Sequence, residues 1–245
     1  MWSIGGYRMK EPQVLKDGTK VYWGELPPRT RISKGLEILG ELLLTFGVLI
    51  GLFVGYKAIL QDNQVGEVQT VLAKEYEAAP SKFIPLAEVD ELADIFAQMY
   101  VPRFGENWTR LVAEGTRWHP VLNEIGVGHY RNTEMPGEVG NFAVAAHRGG
   151  FGGAFKQIHE LRAGDRVYLK TRDMWFVYKY LQTKVVEPTA TGVLASVPEG
   201  LDGALVGGRY MTLTSCTPIF VNSQRIIVWL ELEYQSVITP PEMQS

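Results

Sequence analysis

The 245-residue sequence contains a single cysteine and almost no excess of charge of either sign. One cysteine, Cys216, excludes an intramolecular disulfide and a zinc site built from cysteine pairs. The 24 Lys and Arg against 27 Asp and Glu leave a net charge of −3, so no basic field favours nucleic acid as a partner. The sequence also lacks a P-loop, a GxGxxG motif, an acidic cluster with the spacing of a metal loop and any internal repeat. We therefore expect a protein without a cofactor and without a metal requirement.

One long apolar run lies near the N-terminus. Within residues 36–60, no charge occurs from Leu42 to Tyr56, and crossing a bilayer takes about 20 apolar residues. The segment lacks the small-x-small site that follows a cleaved signal peptide, so we predict an uncleaved membrane anchor. Lysine and arginine are more frequent just before the anchor than just after it, which predicts that the N-terminus is cytoplasmic and that the part after the anchor faces outward. The basic residues before the anchor are Arg29, Arg31 and Lys34.

The remaining chain divides around this anchor. Residues 1–35 are predicted to be a cytoplasmic segment that forms a short hairpin at most or is disordered, and residues 61–95 an extracytoplasmic stalk. Within the stalk, residues 67–77 are expected to be helical and residues 79–85 extended, because proline disfavours the α region in the residue before it. Residues 96–235 form an outer domain, and residues 236–245 form a short C-terminal tail.

The outer domain has the pattern of an all-β fold. Short runs rich in Val, Ile, Tyr, Phe and Thr are separated by Gly, Pro and Asn, as strands and turns prefer. Their regular spacing predicts a β-barrel or sandwich, with short helices around residues 118–125 and 155–161. The predicted strands cover residues 141–146, 166–170, 174–186, 209–215 and 225–234.

Cys216 ends one predicted strand and Arg225 begins the next. A lone cysteine outside the membrane is either a small buried hydrophobe or a reactive thiol, and its residue type leaves both open. A hairpin with the loop 217–224 brings thiol and guanidinium onto neighbouring strands, where a cation lowers a thiol pKa and stabilises an oxyanion. The pair is a candidate nucleophile and oxyanion site.

Four histidines are candidates for the general acid/base. His119 lies among aromatic residues, His129 between Gly128 and Tyr130, and His159 on a predicted helix beside an acidic residue. His147 closes an apolar strand and opens the glycine-rich loop 148–153, which suits a substrate backbone. We therefore favour His147, while position alone leaves the others open.

Three motifs in order resemble the sortase family, and in particular the class E housekeeping sortases of actinobacteria. VPRFGENWTRLVAEG (101–115) followed by IGVGHYRNTEMPGEVGNFAVAAHR (125–148) is similar to the class E sequence that leads into its histidine strand. TLTSC (212–216) resembles the TLxTC motif, and Arg225 follows Cys216 at a similar spacing. The resemblance covers residues 101–233, and the single anchor ahead of the domain is also typical of the family.

This resemblance implies an eight-stranded sortase-type β-barrel with short helices, whose catalytic domain is residues 96–235. It implies a transpeptidase with Cys216 as nucleophile, His147 as general acid/base and Arg225 as the group that stabilises the oxyanion or the substrate. Substrate-binding candidates are Thr214, Ser215, Tyr130 and Phe151.

The partners implied by the resemblance are secreted proteins with a C-terminal LPXTG-like sorting signal and an amine acceptor. Class E enzymes prefer Ala at the second position of the signal. The acceptor is an amine of the peptidoglycan stem peptide or of its lipid-linked precursor, at the outer membrane face of a Gram-positive cell. The membrane itself is a partner through residues 36–60, and no nucleic acid is expected.

Three alternatives stay open at this point. An L,D-transpeptidase also uses cysteine and histidine on peptidoglycan, but expects histidine and glycine immediately before the cysteine, where this chain has Thr214 and Ser215. A pilus-polymerising sortase usually carries an Asp-Pro-aromatic lid, and neither Pro80 nor Pro85 follows an aspartate. A non-catalytic, anchored, wall-binding barrel would keep Cys216 buried.

Overall fold

The structure, a computed structural model, describes residues 3–4, 7–9, 11–21, 24–25, 31–78, 94–219 and 221–243. The chain forms two compact units, residues 1–56 and residues 57–245. The extended segment predicted at residues 79–85 lies outside the described residues.

Among the described residues of the N-terminal unit, five short strands precede the helix. Strands β1 and β2 pair with each other and β5 pairs with β2, while β3 and β4 form a separate hairpin closed by Gly18 at φ +84°. The prediction of a short hairpin at most, or of disorder, is wrong, because β2 and β5 pair across the inner hairpin and no local turn signal marks such a contact. The strands are β1 (Ser3–Ile4), β2 (Tyr7–Met9), β3 (Gln13–Val14), β4 (Lys20–Val21) and β5 (Gly24–Glu25).

A single helix, α1 (Arg31–Ala78), is 48 residues long and contains no proline. Its portion Lys34–Tyr56 is 23 residues long and includes an 18-residue window of mean hydropathy 2.2, so it is long and apolar enough to cross a membrane. Thr45, the one hydroxyl between residues 42 and 54, donates to the carbonyl of Glu41 at 2.8 Å, so its polar group is satisfied inside the helix. The predicted anchor and the predicted helix at 67–77 are therefore one continuous element.

The described part of residues 94–243 forms a closed barrel of eight strands in the order β10-β11-β13-β12-β9-β8-β7-β6, which confirms the predicted fold class. Neighbouring strands are antiparallel except for the parallel pairs β7–β8 and β9–β12. The strands are β6 (Ile95–Tyr100), β7 (Thr109–Glu114), β8 (Gly126–His129), β9 (Gly140–Ala146), β10 (Arg166–Thr171), β11 (Trp175–Val186), β12 (Arg209–Thr217) and β13 (Gln224–Ser236). Short helical segments lie at Pro102–Phe104, Trp118–Ile125, Ile158–Glu160, Thr191–Leu194 and Pro241–Met243.

Alternating side chains fill the barrel interior, because successive residues of a strand face opposite sides of the sheet. On β9, β12 and β13 the inward residues belong to one apolar cluster, and the residues between them face outward. The inward residues of these strands are Phe142, Val144 and Ala146; Met211 and Leu213; and Ile226, Val228 and Leu230. This alternation decides which side chains share the outer face with Cys216.

The C-terminal end of α1 packs on the outer face of β6 and β7. Leu72 and Tyr76 are each 4% exposed and join an apolar cluster with residues of both strands and of the segment Trp118–Ile125. The Tyr76 hydroxyl donates to the carbonyl of Phe96 at 2.9 Å. Although the sequence predicted a stalk here, these residues of α1 form part of the packed domain.

The segment Trp118–Ile125, called segment 118–125 below, lies against β8 where the strand has a glycine. A Cβ on Gly128 would lie 2.3 Å from the carbonyl oxygen of Gly115 and 2.9 Å from a methyl group of Val121. Only glycine therefore lets the segment approach the strand this closely. The other predicted helix, at 155–161, is shorter than expected, since only Ile158–Glu160 is helical, after turns that begin at the glycine-rich loop.

Candidate active site

Cys216 and Arg225 are direct partners across the antiparallel pair β12–β13. Directly opposite residues of an antiparallel pair lie on the same face, with neighbouring strands about 5 Å apart. Strand β12 runs to Thr217 and β13 starts at Gln224, so the connecting loop is shorter than the predicted 217–224. In this structure the Arg225 guanidinium donates to the loop carbonyls of Asn222 and Gln224 at 3.1 and 3.0 Å.

His147 comes level with Cys216 on the other side of β12. Strands β9 and β12 are parallel and pair Ala145 with Thr214, so the next outward positions along the two strands are His147 and Cys216. Since Ala146 faces inward, His147 continues the outward row of β9. The structure thus brings the three predicted reacting residues to one face of the barrel, with Cys216 on β12, Arg225 on β13 and His147 directly after the end of β9.

The ring of His147 sits between two aromatic side chains. Trp118 meets it edge-on with centroids 6.1 Å apart, and Phe151 covers it at 5.5 Å and 34°. Phe151 has a positive φ of 46°, which is a costly backbone conformation for a residue with a Cβ. In this conformation its ring contacts the ring of His147. Burial lowers the pKa of His147, because desolvation disfavours the imidazolium.

Asn123, which the sequence did not single out, binds the imidazole directly. Its Oδ1 lies 2.9 Å from Nε2 of His147, and the side chain is 3% exposed. Nothing in the local pattern marked this residue, since it lies in the short segment 118–125, 24 positions before the histidine, and meets it only through packing.

The other predicted substrate-binding residues are divided between the two faces. Thr214 faces outward; its hydroxyl donates to the carbonyl of Val144 at 3.2 Å and lies 3.0 Å from the Tyr130 hydroxyl. Ser215 faces inward and donates to the carbonyl of Ala146 at 2.7 Å, so it aligns the ends of β9 and β12. The predicted contact of Ser215 with substrate gains no support from this position.

The comparisons with known proteins agree with this geometry. A family model described as the sortase domain matches residues 99–233. Sortase SrtE2 of Streptomyces coelicolor is 32% identical over 237 residues, which cover 89% of this chain and 92% of that protein. The chain belongs to the sortase family.

Solved structures of two class E sortases are similar to this sortase. Sortase E from Streptomyces avermitilis is 40% identical with a TM-score of 0.56, covering 62% of this chain and 97% of that one. Sortase E1 from Streptomyces coelicolor, solved with a tripeptide in its active site, is 35% identical with a TM-score of 0.55, covering 58% and 90%. The resemblance seen in the sequence motifs is therefore confirmed.

Family membership decides whether the protein is an enzyme with a reactive cysteine or a non-catalytic barrel, which the sequence composition left open. The protein is a sortase cysteine transpeptidase of class E type, with a long apolar N-terminal helix consistent with a membrane anchor. The L,D-transpeptidase and the non-catalytic barrel are excluded as interpretations. Sorting-signal proteins and cell-wall acceptors are the partners that the family implies.

The sortase has an open cleft of about 940 Å³, whose lining does not include His147, Cys216 or Arg225. Tyr130 lines it, so the cleft reaches the tyrosine that contacts Thr214 on β12. Its walls come from residues within 114–117, 120–121, 130–133 and 191–195. Within the part of the chain that the structure describes, no group of three His, Cys, Asp or Glu side chains is arranged to hold a metal ion.

Proposed function

We propose that this sortase cleaves an LPXTG-like sorting signal, with Ala accepted at its second position, between Thr and Gly. It then joins the secreted protein to an amine of the peptidoglycan stem peptide or of its lipid-linked precursor. The observation that carries this proposal is the placement of Cys216 between His147 and Arg225 on adjacent strands. The family supports the reaction class, and the LAXTG preference is inferred from the resemblance of the sequence motifs to class E.

The first half-reaction forms a thioester. Neutral His147 accepts the thiol proton of Cys216, and the sulfur attacks the Thr carbonyl carbon of the signal. The tetrahedral oxyanion collapses, the Thr–Gly bond breaks, and the glycine amine leaves with the proton that His147 held. Burial of the imidazole supports this assignment, because it keeps His147 neutral at pH 7 and ready to accept the first proton.

The second half-reaction reverses the proton path. The acceptor amine attacks the thioester carbonyl while His147 takes one of its protons. The new amide forms as the C–S bond breaks, and the sulfur recovers its proton from the imidazolium. A thioester reacts readily with an amine, so ligation competes with hydrolysis.

Arg225 stabilises the charge that develops on the Thr carbonyl oxygen in both steps. Its guanidinium is held by two loop carbonyls next to Cys216, which keeps a fixed positive charge beside the oxyanion. Phe151, Tyr130 and Thr214 border the same face, and we assign them to the groove that receives the signal.

The topology follows from the anchor. Helix α1 carries the apolar portion Lys34–Tyr56, and the basic residues precede it, which supports a cytoplasmic N-terminus and an extracytoplasmic barrel. In this orientation the barrel meets secreted proteins and lipid-linked precursors at the same membrane face. The domain limits at residues 35, 60 and 235 are part of this proposal, whereas the limit at 95 is not kept, because Leu72 and Tyr76 of α1 pack on the barrel.

A ligation assay tests the function. Full-length sortase in detergent is incubated with LPXTG and LAXTG peptides and with amine acceptors that include a stem peptide, and products are identified by mass spectrometry. We expect ligated product that is lost in Cys216→Ala and in His147→Gln. Absence of both cleavage and ligation with every peptide would contradict the proposal.

A further inference from the structure

A chain of three hydrogen-bonded side chains lies behind the imidazole of His147. Asn123 Oδ1 lies 2.9 Å from His147 Nε2, and Asn123 Nδ2 lies 3.0 Å from His119 Nε2. His119 Nδ1 in turn lies 3.2 Å from a carboxylate oxygen of Glu124. All three members belong to segment 118–125, so one short element carries the whole chain.

The hydrogen-bonding capacities of these groups allow one consistent assignment. A carboxylate only accepts, so His119 donates from Nδ1 to Glu124 and its Nε2 is the acceptor. An amide nitrogen only donates, so Asn123 directs Nδ2 at His119 and turns Oδ1 toward His147. An amide oxygen only accepts, and His147 must therefore donate from Nε2.

We propose that His119 and Glu124 fix the orientation of the Asn123 amide and thereby hold the resting proton of His147 on Nε2. Nδ1 is then the nitrogen that exchanges protons with Cys216 and with the two amines. Asn123, His119 and Glu124 are positioning residues. The inference rests on the proposed role of His147 as the acid/base.

The geometry at the ring makes the choice of tautomer matter. Among the described residues no other hydrogen bond to the His147 ring occurs, so Asn123 alone selects between its two nitrogens. An amide flipped by half a turn would offer Nδ2 to His147 and would put the proton on Nδ1. A proton on Nδ1 in the resting enzyme would block acceptance of the thiol proton there.

The location of each member suits this role. Asn123 is 3% exposed, so its amide exchanges no partners with solvent, whereas the His119 side chain is 66% exposed and the Glu124 side chain 30%. Helix α1 supports the segment from behind, since the Gln69 amide donates to the carbonyl of Glu124 at 3.0 Å and also to that of Ile125. His119 and Glu124 thus orient the buried amide of Asn123, and the contacts with Gln69 hold the backbone of the segment in place.

Kinetics of full-length variants form the first part of the test. Asn123→Leu keeps the size of the side chain and removes both hydrogen bonds, so we expect kcat to fall about tenfold with an unchanged KM for the signal peptide. His119→Leu should also lower kcat, whereas His119→Gln, which offers an amide oxygen to Asn123, should restore it.

Nitrogen NMR of the histidine ring forms the second part and does not depend on turnover. In the wild type, Nε2 of His147 should show the shift of a protonated nitrogen and Nδ1 that of an unprotonated one, and His119→Leu should produce a mixture of tautomers. The His147 signals are assigned with His147→Gln.

Asn123→Asp puts a negative charge beside Nε2 of His147. A carboxylate beside Nε2 should raise the pKa of His147 and shift the acid limb of the rate profile upward, whereas Asn107→Asp, in an exposed turn, should leave the limb in place. The other charged or titratable groups near His147 are Cys216 and Arg225 on the adjacent strands, Arg148 next in the chain, and His119 and Glu124.

A resting proton on Nδ1, or wild-type kcat and tautomer in both Asn123→Leu and His119→Leu, would overturn this inference while Cys216 and His147 stay essential. Full activity of His147→Gln would instead overturn the proposed function itself. The two failures are therefore distinguishable.

Discussion

At the scale of single residues, the role proposed for Arg225 depends on what its side chain offers besides its charge. The guanidinium is planar and presents several donors in a fixed fork, so it can hold two loop carbonyls and still face an oxyanion. An ammonium is a compact point charge on a flexible chain and cannot make the same set of contacts.

Arg225→Lys therefore tests the fork separately from the charge. We expect kcat/KM for ligation to fall by roughly 10²–10³, the typical cost of losing one oxyanion donor. The matched control is Arg172→Lys, because the Arg172 side chain is 61% exposed and its ion pair with Asp173 is long, at 3.9 Å. A loss of activity in the control, or none in Arg225→Lys, would contradict the assigned role.

The buried imidazole predicts the pH dependence of the reaction. Burial lowers the pKa of His147 below its ordinary value of 6.5, and in the proposed mechanism the neutral form accepts the thiol proton. Activity should therefore be complete above pH 6.5 and fall only as the pH drops through the lowered pKa. For the same reason the stability contributed by neutral His147 is present above 6.5 and is lost on acidification through that pKa. A profile of kcat/KM against pH, beside an NMR titration of His147, checks this; an acid limb above 6.5 would contradict it.

At the scale of elements, helix α1 has a second role beyond its apolar portion. Its end covers part of the outer face of the barrel, where Leu72 and Tyr76 are buried and Gln69 binds the backbone of segment 118–125. The same segment carries Asn123, so this end of the helix supports the histidine indirectly.

Leu72→Ala tests this packing. The substitution leaves a cavity between α1 and β7, and we expect the free energy of unfolding to fall by about 2–4 kcal/mol, with a lower ligation rate. Thermal unfolding of the purified sortase measures the change, and Val71→Ala, at an exposed position of the same helix, is the control. Equal stability of the two variants would show that this end of the helix contributes nothing to the domain.

The sequence predicts those elements that are marked by a continuous run of residues, and it misses contacts between residues that are far apart in the chain. β10, β11 and β13 follow from continuous runs of branched and aromatic residues, and the pairing of Cys216 with Arg225 follows from one hairpin. β8 has two glycines among its four residues and pairs in parallel with β7, so no apolar run or turn signal marks it. The contact of Asn123 with His147 needs that parallel packing, which is why it was not foreseen.

At the scale of the whole molecule, we expect the apolar portion of α1 and the barrel to have separable tasks. The apolar portion of α1 lies in the unit of residues 1–56, whereas every proposed reacting residue lies in the unit of residues 57–245. The chemistry therefore should not need the anchor.

Removal of residues 1–56 tests this separation. We expect the shortened sortase to be water-soluble and to ligate peptide substrates with the kcat/KM of the full chain, while its binding to lipid vesicles is lost. Vesicle flotation and the peptide assay measure the two effects. Retained vesicle binding, or a large loss of peptide ligation, would contradict the division of tasks.

The central claim is that Cys216 carries the acyl group between donor and acceptor. The most direct measurement is intact-protein mass spectrometry of the sortase mixed with an LAXTG peptide without acceptor, followed by peptide mapping. The account predicts an added mass equal to the signal up to its threonine, attached to Cys216, absent in Cys216→Ala and released as ligated product when an amine is added. A modification at any other residue, or ligation by Cys216→Ala, would contradict it.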